Sequence, residues 1–359
     1  MADILDTLRV GIVGLGIGRH HLRAYQQIPG VEIVAVADTN PARLEEFGAA
    51  NKIPNLYEDY EPLVARDDLD VVNVCTPNFL HAPVAIAALE SEKHVLCEKP
   101  LASTVADAEA MVAAAERTGR ALDVTFNHRQ RADVQALKAY IDQGGLGKIY
   151  HTKVWWLRRN GIPGLGSWFT KKAMAGGGPL IDLGVHMLDM ALYLLGEPAA
   201  LAVSGAVYAE LGPRGRGSSG MQKQLVGAGY EVEDLASAFI RLEGNAALLL
   251  ETSWATYRAN NDEFGVTLYG TEGGAEIRVV NYVQGNTLMF YTDVAGVPVD
   301  IQPHLGKGEG HLASIRRFVD ALRSGDWRGM DGREGLARTR IIDACYRSAA
   351  EGREIVLDT

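Results

Sequence analysis

The sequence predicts a two-part α/β protein. An N-terminal domain built on a parallel sheet precedes an α+β domain with a large, mostly antiparallel open sheet. Three observations lead there. The first third alternates short, continuously apolar strands with helices, the pattern of strands covered on both faces. Beyond it the strands lengthen and alternate apolar with polar residues, as in a sheet with one covered face. The chain has 359 residues, more than one ordinary domain holds.

Residues 9–14 read as a buried strand ending in glycines, and 20–27 as its helix. A second strand, 31–38, leads to a helix at 41–51, with Asn40 as N-cap and Pro41 at the first helical position. Strand 70–76 and helix 82–91 follow, then strand 94–98 with helix 103–118, and strand 121–126. After a helix at 133–142 and a turn at Gly144-Gly145 come strands at 149–157, 201–208, 233–242, 246–254 and 263–269. Glu243-Gly244-Asn245 and Gly273-Gly274 are turns between them. A helix at 179–195 interrupts the sheet, and helices at 311–324 and 334–351 close the chain. The Gly/Ser-rich stretch 211–229 reads as an exposed loop. The expected domains are 1–128 and 129–359, with the closing helices able to pack back on the first domain.

Composition excludes several classes. A net charge of −10 disfavours sequence-independent nucleic-acid binding, which needs Lys and Arg against phosphates. Local pairs such as Lys171-Lys172 and Arg158-Arg159 suit a solvated face or an anionic ligand. The three cysteines, Cys75, Cys97 and Cys345, have no CxxC spacing, so neither a disulfide framework nor a metal centre is expected. The first residues carry acids and no long apolar run, and no stretch is read as approaching the ~18 apolar residues of a membrane span. The expected location is the cytoplasm.

Three sets of residues carry chemistry. Gly14-Leu15-Gly16-Ile17-Gly18 follows a strand and opens a helix, so backbone can approach a pyrophosphate whose charge meets the helix N-terminus. Asp38 ends the second strand, where a carboxylate accepts hydrogen bonds from a ribose 2′-OH and repels a 2′-phosphate. That favours NAD, with NADP as the alternative. The position that usually takes a third small residue is Arg19, and Gly18 comes one residue early, so either the helix leaves the turn slightly differently or Arg19 points outward toward the phosphates. Thr76-Pro77-Asn78-x-x-His81 and Glu98-Lys99-Pro100 end the third and fourth strands, at the carboxyl edge where parallel sheets bind ligands. Within Gly176-Gly-Gly-Pro-Leu-Ile-Asp182-Leu-Gly-Val-His186-Met-Leu-Asp189, Asp182 and His186 are four apart and share a helix face. A carboxylate beside an imidazole orients the ring and suits it to act as a general base.

In this order the three sets resemble the Gfo/Idh/MocA family, relatives of glucose–fructose oxidoreductase and inositol dehydrogenase, over nearly the whole chain. The resemblance implies a Rossmann domain and a second domain whose open sheet carries the active-site wall and an oligomer contact, as homodimer or homotetramer. It implies Lys99 as the catalytic lysine, with Asp182 and His186 as its polar partners. It also implies cofactor contacts at Asp38, Thr76, Asn78, His81, Glu98 and Asn127. The implied chemistry is NAD-dependent oxidation of a secondary hydroxyl on a sugar, sugar derivative or cyclitol. The alternatives are an NADPH-dependent keto-sugar reductase, a lyase or glycosidase that uses NAD transiently, and a ligand-sensing protein without catalysis. Substrate contacts are expected from Lys99, Arg129, Trp156, Arg158, Asn160, Trp168, Asp182 and His186. Strand alternation sends Trp155 and Trp156 to opposite faces. Family members often place an arginine after Trp168, where this chain has Phe169; His128, Tyr257 and His304 are further wall candidates.

Overall fold

The computed structural model describes residues 7–218, 229–283 and 285–357. The chain divides into two compact units. The first runs to Asn127 and takes up Glu309–Thr339; the second is His128–Gly308 with the chain from Arg340 onward.

In the first unit, β1 (Leu8–Val13) leads to α1 (Gly18–Tyr25), β2 (Val31–Ala37), α2 (Pro41–Asn51), β3 (Asn55–Tyr57) and α3 (Glu61–Val64). It continues with β4 (Val71–Val74), α4 (His81–Glu90), β5 (His94–Cys97), α5 (Val105–Thr118) and β6 (Leu122–Val124). Its sheet has the order β3-β2-β1-β4-β5-β6, and every pair is parallel. The order reverses between β1 and β4, which opens a crevice at their carboxyl ends. The Asn40 side chain caps α2 by accepting from the Arg43 N–H, with Pro41 following it. β3 and α3, absent from the expected elements, are too short to give a periodic signal.

The second unit begins with α6 (Ala132–Asp142) and β7 (Ile149–Arg158), then α7 (Lys172–Ala175), a π-helical segment Leu180–Gly184, and α8 (Val185–Leu195). The strands follow as β8 (Ala200–Tyr208), β9 (Leu235–Leu242), β10 (Ala246–Ser253), β11 (Asp262–Gly270), β12 (Gly274–Val280), β13 (Leu288–Val294) and β14 (Val297–Ile301). With β15 (Ile355–Val356) they form one sheet, β14-β13-β12-β11-β7-β10-β9-β8-β15. β7 and β10 pair in parallel; the other described pairs are antiparallel. β12 to β15 extend the sheet beyond the strands legible in the sequence. Trp156 is buried on the covered face of β7, and Trp155 lies on the opposite face. Of the stretch 211–229, the expected loop, 219–228 lies outside the described residues; Gly212 within it is buried, and the Asp234 carboxylate holds the Leu211 and Gly212 N–H groups.

One expectation needs correction. Lys172–Leu195, 24 residues with a mean hydropathy of 1.3, is long and apolar enough to cross a membrane by length and composition, yet 83% of its most apolar window is buried inside the protein. A helix enclosed by its own unit must be apolar all round, so it shares this signature with a span. The stretch Glu309–Thr339 belongs to the first unit, in line with closing helices able to pack back on it. The reason is packing. In α9 (His311–Ser324), Ile315, Phe318, Val319 and Leu322 join Leu22, Tyr25 and Ile28 in one buried cluster. The following helix, α10 (Arg333–Glu351), starts in the first unit and ends in the second.

Phe318 is fully buried in that cluster. Phe318→Ala is expected to cost about 3–5 kcal/mol of stability, read as a lowered midpoint in denaturant unfolding.

Candidate functional site

In the first unit the site is built at the β1/β4 reversal. Gly14 has φ +91°, and a Cβ there would lie 2.4 Å from the Cys75 carbonyl oxygen, so only glycine fits. Gly16 is the opposite case: a Cβ there would meet nothing within 4 Å, and its backbone is open to a ligand. Gly18 packs where a Cβ would be 3.0 Å from Ile12 and 3.5 Å from Cys75. It thus does the close helix–strand packing expected of a third glycine, one residue early. Ile17 is half-exposed at the start of α1. Arg19, exposed at the start of α1, braces the turn by donating its Nε to the Gly16 carbonyl at 2.9 Å.

Asp38 is buried at the end of β2. Its carboxylate accepts the Leu15 N–H at 2.8 Å and the Asn40 N–H at 2.9 Å, and pairs with Arg43 Nη1 at 3.1 Å. At the end of β4, the buried Thr76 hydroxyl has no hydrogen-bond partner among the described residues; neither has the Asn127 side-chain oxygen. Pro77 and the buried Asn78 begin a short helical turn beside them. This combination of an open glycine, a terminal carboxylate and two buried oxygens awaiting partners fits a dinucleotide. His81 is different. Both ring nitrogens face backbone carbonyls, Nδ1 that of Pro100 at 2.7 Å and Nε2 that of Thr76 at 3.0 Å. It sits between two loops, with its ring nitrogens turned to their carbonyls.

Beneath Lys99 lies a cluster that no sequence motif announced. His21, fully buried on α1, places Nδ1 2.8 Å from the Asn73 side-chain oxygen and Nε2 2.7 Å from Glu98 Oε1. The other Glu98 oxygen accepts the Lys99 N–H at 3.2 Å. His311 Nε2 stands 3.9 Å from Glu98 Oε1. The 2.7 Å separation is that of a charge-assisted hydrogen bond. Burial alone would raise the Glu98 carboxyl, but the hydrogen bond and charge of His21, aided by His311 and Lys99, pull it down to about 2. Burial likewise opposes a charge on His21, while Cys75 and Glu98 favour it, and the ring ends well above its ordinary value.

In the second unit, Glu233 builds the site from below. Its buried carboxylate accepts the Gly178 N–H at 2.9 Å, the Leu180 N–H at 3.0 Å and the Tyr346 hydroxyl at 2.9 Å. A Cβ on Gly177 would lie 1.9 Å from the Tyr346 oxygen, and one on Gly178 2.1 Å from the Glu233 carbonyl, which explains the paired glycines. From this clamp the chain enters the π-helical segment that carries Asp182 and then α8, which carries His186. The expected single α-helix is therefore wider over its first turn, a feature frequent at functional sites. Asp182 accepts the Trp254 indole N–H at 2.9 Å. The His186 ring is 4.7 Å from that of His128 and 5.6 Å from that of Trp156.

Trp156 donates its indole N–H to Asp262 at 2.8 Å, and Arg158 donates Nε to the other oxygen of the same carboxylate at 2.7 Å. Trp168 stacks on Phe169 at 3.9 Å, and Phe169 meets Trp254 edge-on. The structure thus gathers Trp156, Arg158, Trp168, Asp182 and His186 in one wall. Two other expected members stand apart from these contacts. Arg129 is committed to Asp189 through two hydrogen bonds, at 2.8 and 2.5 Å, so its guanidinium serves packing within this unit. Asn160 lies exposed beyond the end of β7. Tyr257 is 80% exposed, and His304 is exposed as well. Asp262, Trp254 and Glu233 were missed because their roles depend on strand pairing and on loops that meet only in space.

Comparison with known proteins agrees with this geometry. Residues 8–126 match the GFO_IDH_MocA model, described as an oxidoreductase family with an NAD-binding Rossmann fold, and 134–276 match the GFO/IDH/MocA C-terminal domain. The chain belongs to the Gfo/Idh/MocA oxidoreductase family. D-glucoside 3-dehydrogenase of Escherichia coli (strain K12) is 33% identical over 355 residues, covering 98% of each chain. Levoglucosan dehydrogenase of Pseudarthrobacter phenanthrenivorans is 32% identical over 97% of each. A structure of levoglucosan dehydrogenase in complex with NADH superposes with a TM-score of 0.86 at 27% identity, covering 98% of this chain and 100% of that one. The chain is thus an oxidoreductase with an NAD-binding Rossmann domain.

Gly14→Ala meets both a positive φ and a backbone clash, and is expected to cost at least ~2 kcal/mol of stability. Gly16→Ala is expected to leave the unfolding midpoint near that of the wild type while weakening NADH binding about tenfold or more, read by fluorescence titration. For the buried pair, Glu98→Gln should lower stability by on the order of 3 kcal/mol at neutral pH. Glu98 titrates below its ordinary 4.5, so its contribution is full above that value and fades as the pH falls toward 2. His21 titrates above its ordinary 6.5, so its contribution is full below that value and is lost only as the pH rises through the raised one. The gap between wild type and Glu98→Gln in denaturant unfolding should therefore narrow from pH 4.5 downward.

Proposed function

We propose that the protein is an NAD-dependent dehydrogenase that oxidises a secondary hydroxyl of a sugar, sugar derivative or cyclitol. The observation that carries this reading is the wall around His186: a buried imidazole among aromatic rings, flanked by Asp182 and Arg158. Aromatic faces suit the C–H surface of a sugar ring, and directed acid and guanidinium groups suit its hydroxyls. The names of the relatives, a glucoside dehydrogenase and a levoglucosan dehydrogenase, support the same substrate class.

NAD, when held by the glycine turn and Asp38, would supply the hydride acceptor for the carbinol carbon. His186 takes the hydroxyl proton on its imidazole. Lys99, as ammonium, holds the same oxygen and stabilises the negative charge that develops there. Asp182, fixed by the Trp254 indole, orients a neighbouring hydroxyl. Asp38 receives the adenosine ribose once Arg43 yields one of its contacts, and Thr76 and Asn127 offer their buried oxygens to the cofactor.

One observation favours a second reading, an NADPH-dependent reductase of a keto-sugar. Arg43 beside Asp38 offsets the negative charge that would otherwise repel a 2′-phosphate. Assembly as a homo-oligomer through the open face of the second-unit sheet belongs to the proposal, supported by half-exposed Leu249 and Trp155 on that face. So does a cytoplasmic setting, supported by three free, buried cysteines.

His186→Ala and Lys99→Ala are each expected to lower kcat by about 10²–10⁴ with NADH affinity retained. The assay is a panel of glucosides, anhydrosugars and inositols with NAD and with NADP, followed through the absorbance of the reduced cofactor. Full turnover in both variants would remove the assigned roles. Turnover without added cofactor and without net reduction would instead indicate a lyase.

A further inference from the structure

Tyr282 belongs to no motif, yet its backbone is among the most unusual in the chain. Asn281 and Tyr282 have φ of +49° and +57°, two consecutive left-handed residues. The Val283 N–H donates to the Val280 carbonyl at 3.0 Å and closes a two-residue turn after β12. Such a turn suits Asn-Gly, and a bulky side chain at its second position is a real outlier. Pairing with Asp262 holds it: the Asn281 N–H donates to the Asp262 carbonyl at 2.8 Å, and the Asp262 N–H to the Asn281 side-chain oxygen at 3.0 Å.

The turn aims the tyrosine at the wall. Its phenol oxygen accepts Arg158 Nη2 at 3.0 Å. Its ring lies 6.4 Å from that of Trp156 and 5.9 Å from that of Phe264, and Trp156 in turn faces His186 at 5.6 Å. Asp182 is near enough to act electrostatically on both Arg158 and Tyr282. Even so, Tyr282 remains 53% exposed. Core packing does not explain a strained residue that keeps half its surface in solvent; strained residues that persist cluster at ligand clamps.

We propose that Tyr282 contacts the substrate and helps to set its specificity. Its ring covers the C–H face of a sugar ring, and its hydroxyl, already accepting from Arg158, donates its own proton to a substrate hydroxyl. The charge of Arg158 is matched by Asp262, so the pair offers directed hydrogen bonds suited to an uncharged polyol. This inference rests on the sugar-dehydrogenase reading above.

The test compares wild type, Tyr282→Phe and Tyr282→Asn as full chains, with NAD and methyl β-D-glucopyranoside, levoglucosan or myo-inositol. Tyr282→Phe keeps the ring and loses the hydroxyl, so KM for the preferred sugar is expected to rise about fivefold with kcat nearly unchanged. Tyr282→Asn loses both, and KM is expected to rise at least about tenfold. Asparagine tolerates a left-handed backbone, so the Tm of Tyr282→Asn should equal or exceed that of the wild type, and NADH affinity should hold. Wild-type KM in both variants overturns the proposal, as does a lowered Tm in Tyr282→Asn with KM unchanged. A wild-type protein that oxidises none of the three sugars overturns the parent reading and this inference with it.

Discussion

A buried carboxylate bonded to the amides of a loop is the interaction on which both units depend. Asp38 holds Leu15 and Asn40, and so joins the glycine turn to the start of α2. Glu233 holds Gly178 and Leu180, and so sets where the helix bearing Asp182 and His186 begins. Asp234 does the same for Leu211 and Gly212. Loop amides at strand ends have no ladder partner, and an unsatisfied buried amide costs a few kcal/mol. A carboxyl group, with two oxygens, answers two amides at once. Part of the chain's acidity is therefore structural and placed at the sites.

The second unit repeats this logic with side chains. Asp262 receives both the Trp156 indole and the Arg158 guanidinium, while its backbone anchors the Asn281–Tyr282 turn. One residue at the start of β11 thus coordinates β7, the turn after β12 and the aromatic wall. Its carboxylate balances the arginine at the site, which leaves the guanidinium oriented. Arg129 shows the contrasting use of the same chemistry: bidentate pairing with the buried Asp189 ties it into the fold. Two arginines of similar appearance in the sequence part company because one meets its carboxylate at a strand edge and the other against a buried helix.

Much of the fold was legible because it rests on local periodicity. Buried parallel strands are continuously apolar, half-covered ones alternate, and α2 carries its own cap in Asn40 and Pro41. The glycine turn, Asp38, Lys99 and the Asp182/His186 segment stood out because each puts an unusual residue type at the end of a regular element. The short β3 and α3, and the outer strands β12 to β15, gave weaker signals. That the closing helices could return to the first unit was legible, but not which residues α9 meets there, because its amphipathic pattern says that one face is buried but not what it is buried against.

The sequence by itself determined the two sheet types, the glycine turn of the NAD-binding domain and which acids and bases are candidates for the site, since spacing along one element sets these. The tertiary structure alone decided what each polar group is bonded to. It turned Arg19 back onto Gly16, turned both nitrogens of His81 to backbone carbonyls, and put His21 under Glu98. It also brought Tyr282 to Arg158, 124 residues away in the chain. The physical reason is range. Periodicity reports only whether a residue faces apolar surroundings, whereas a hydrogen bond forms within about 3 Å of a partner that chain folding must first deliver.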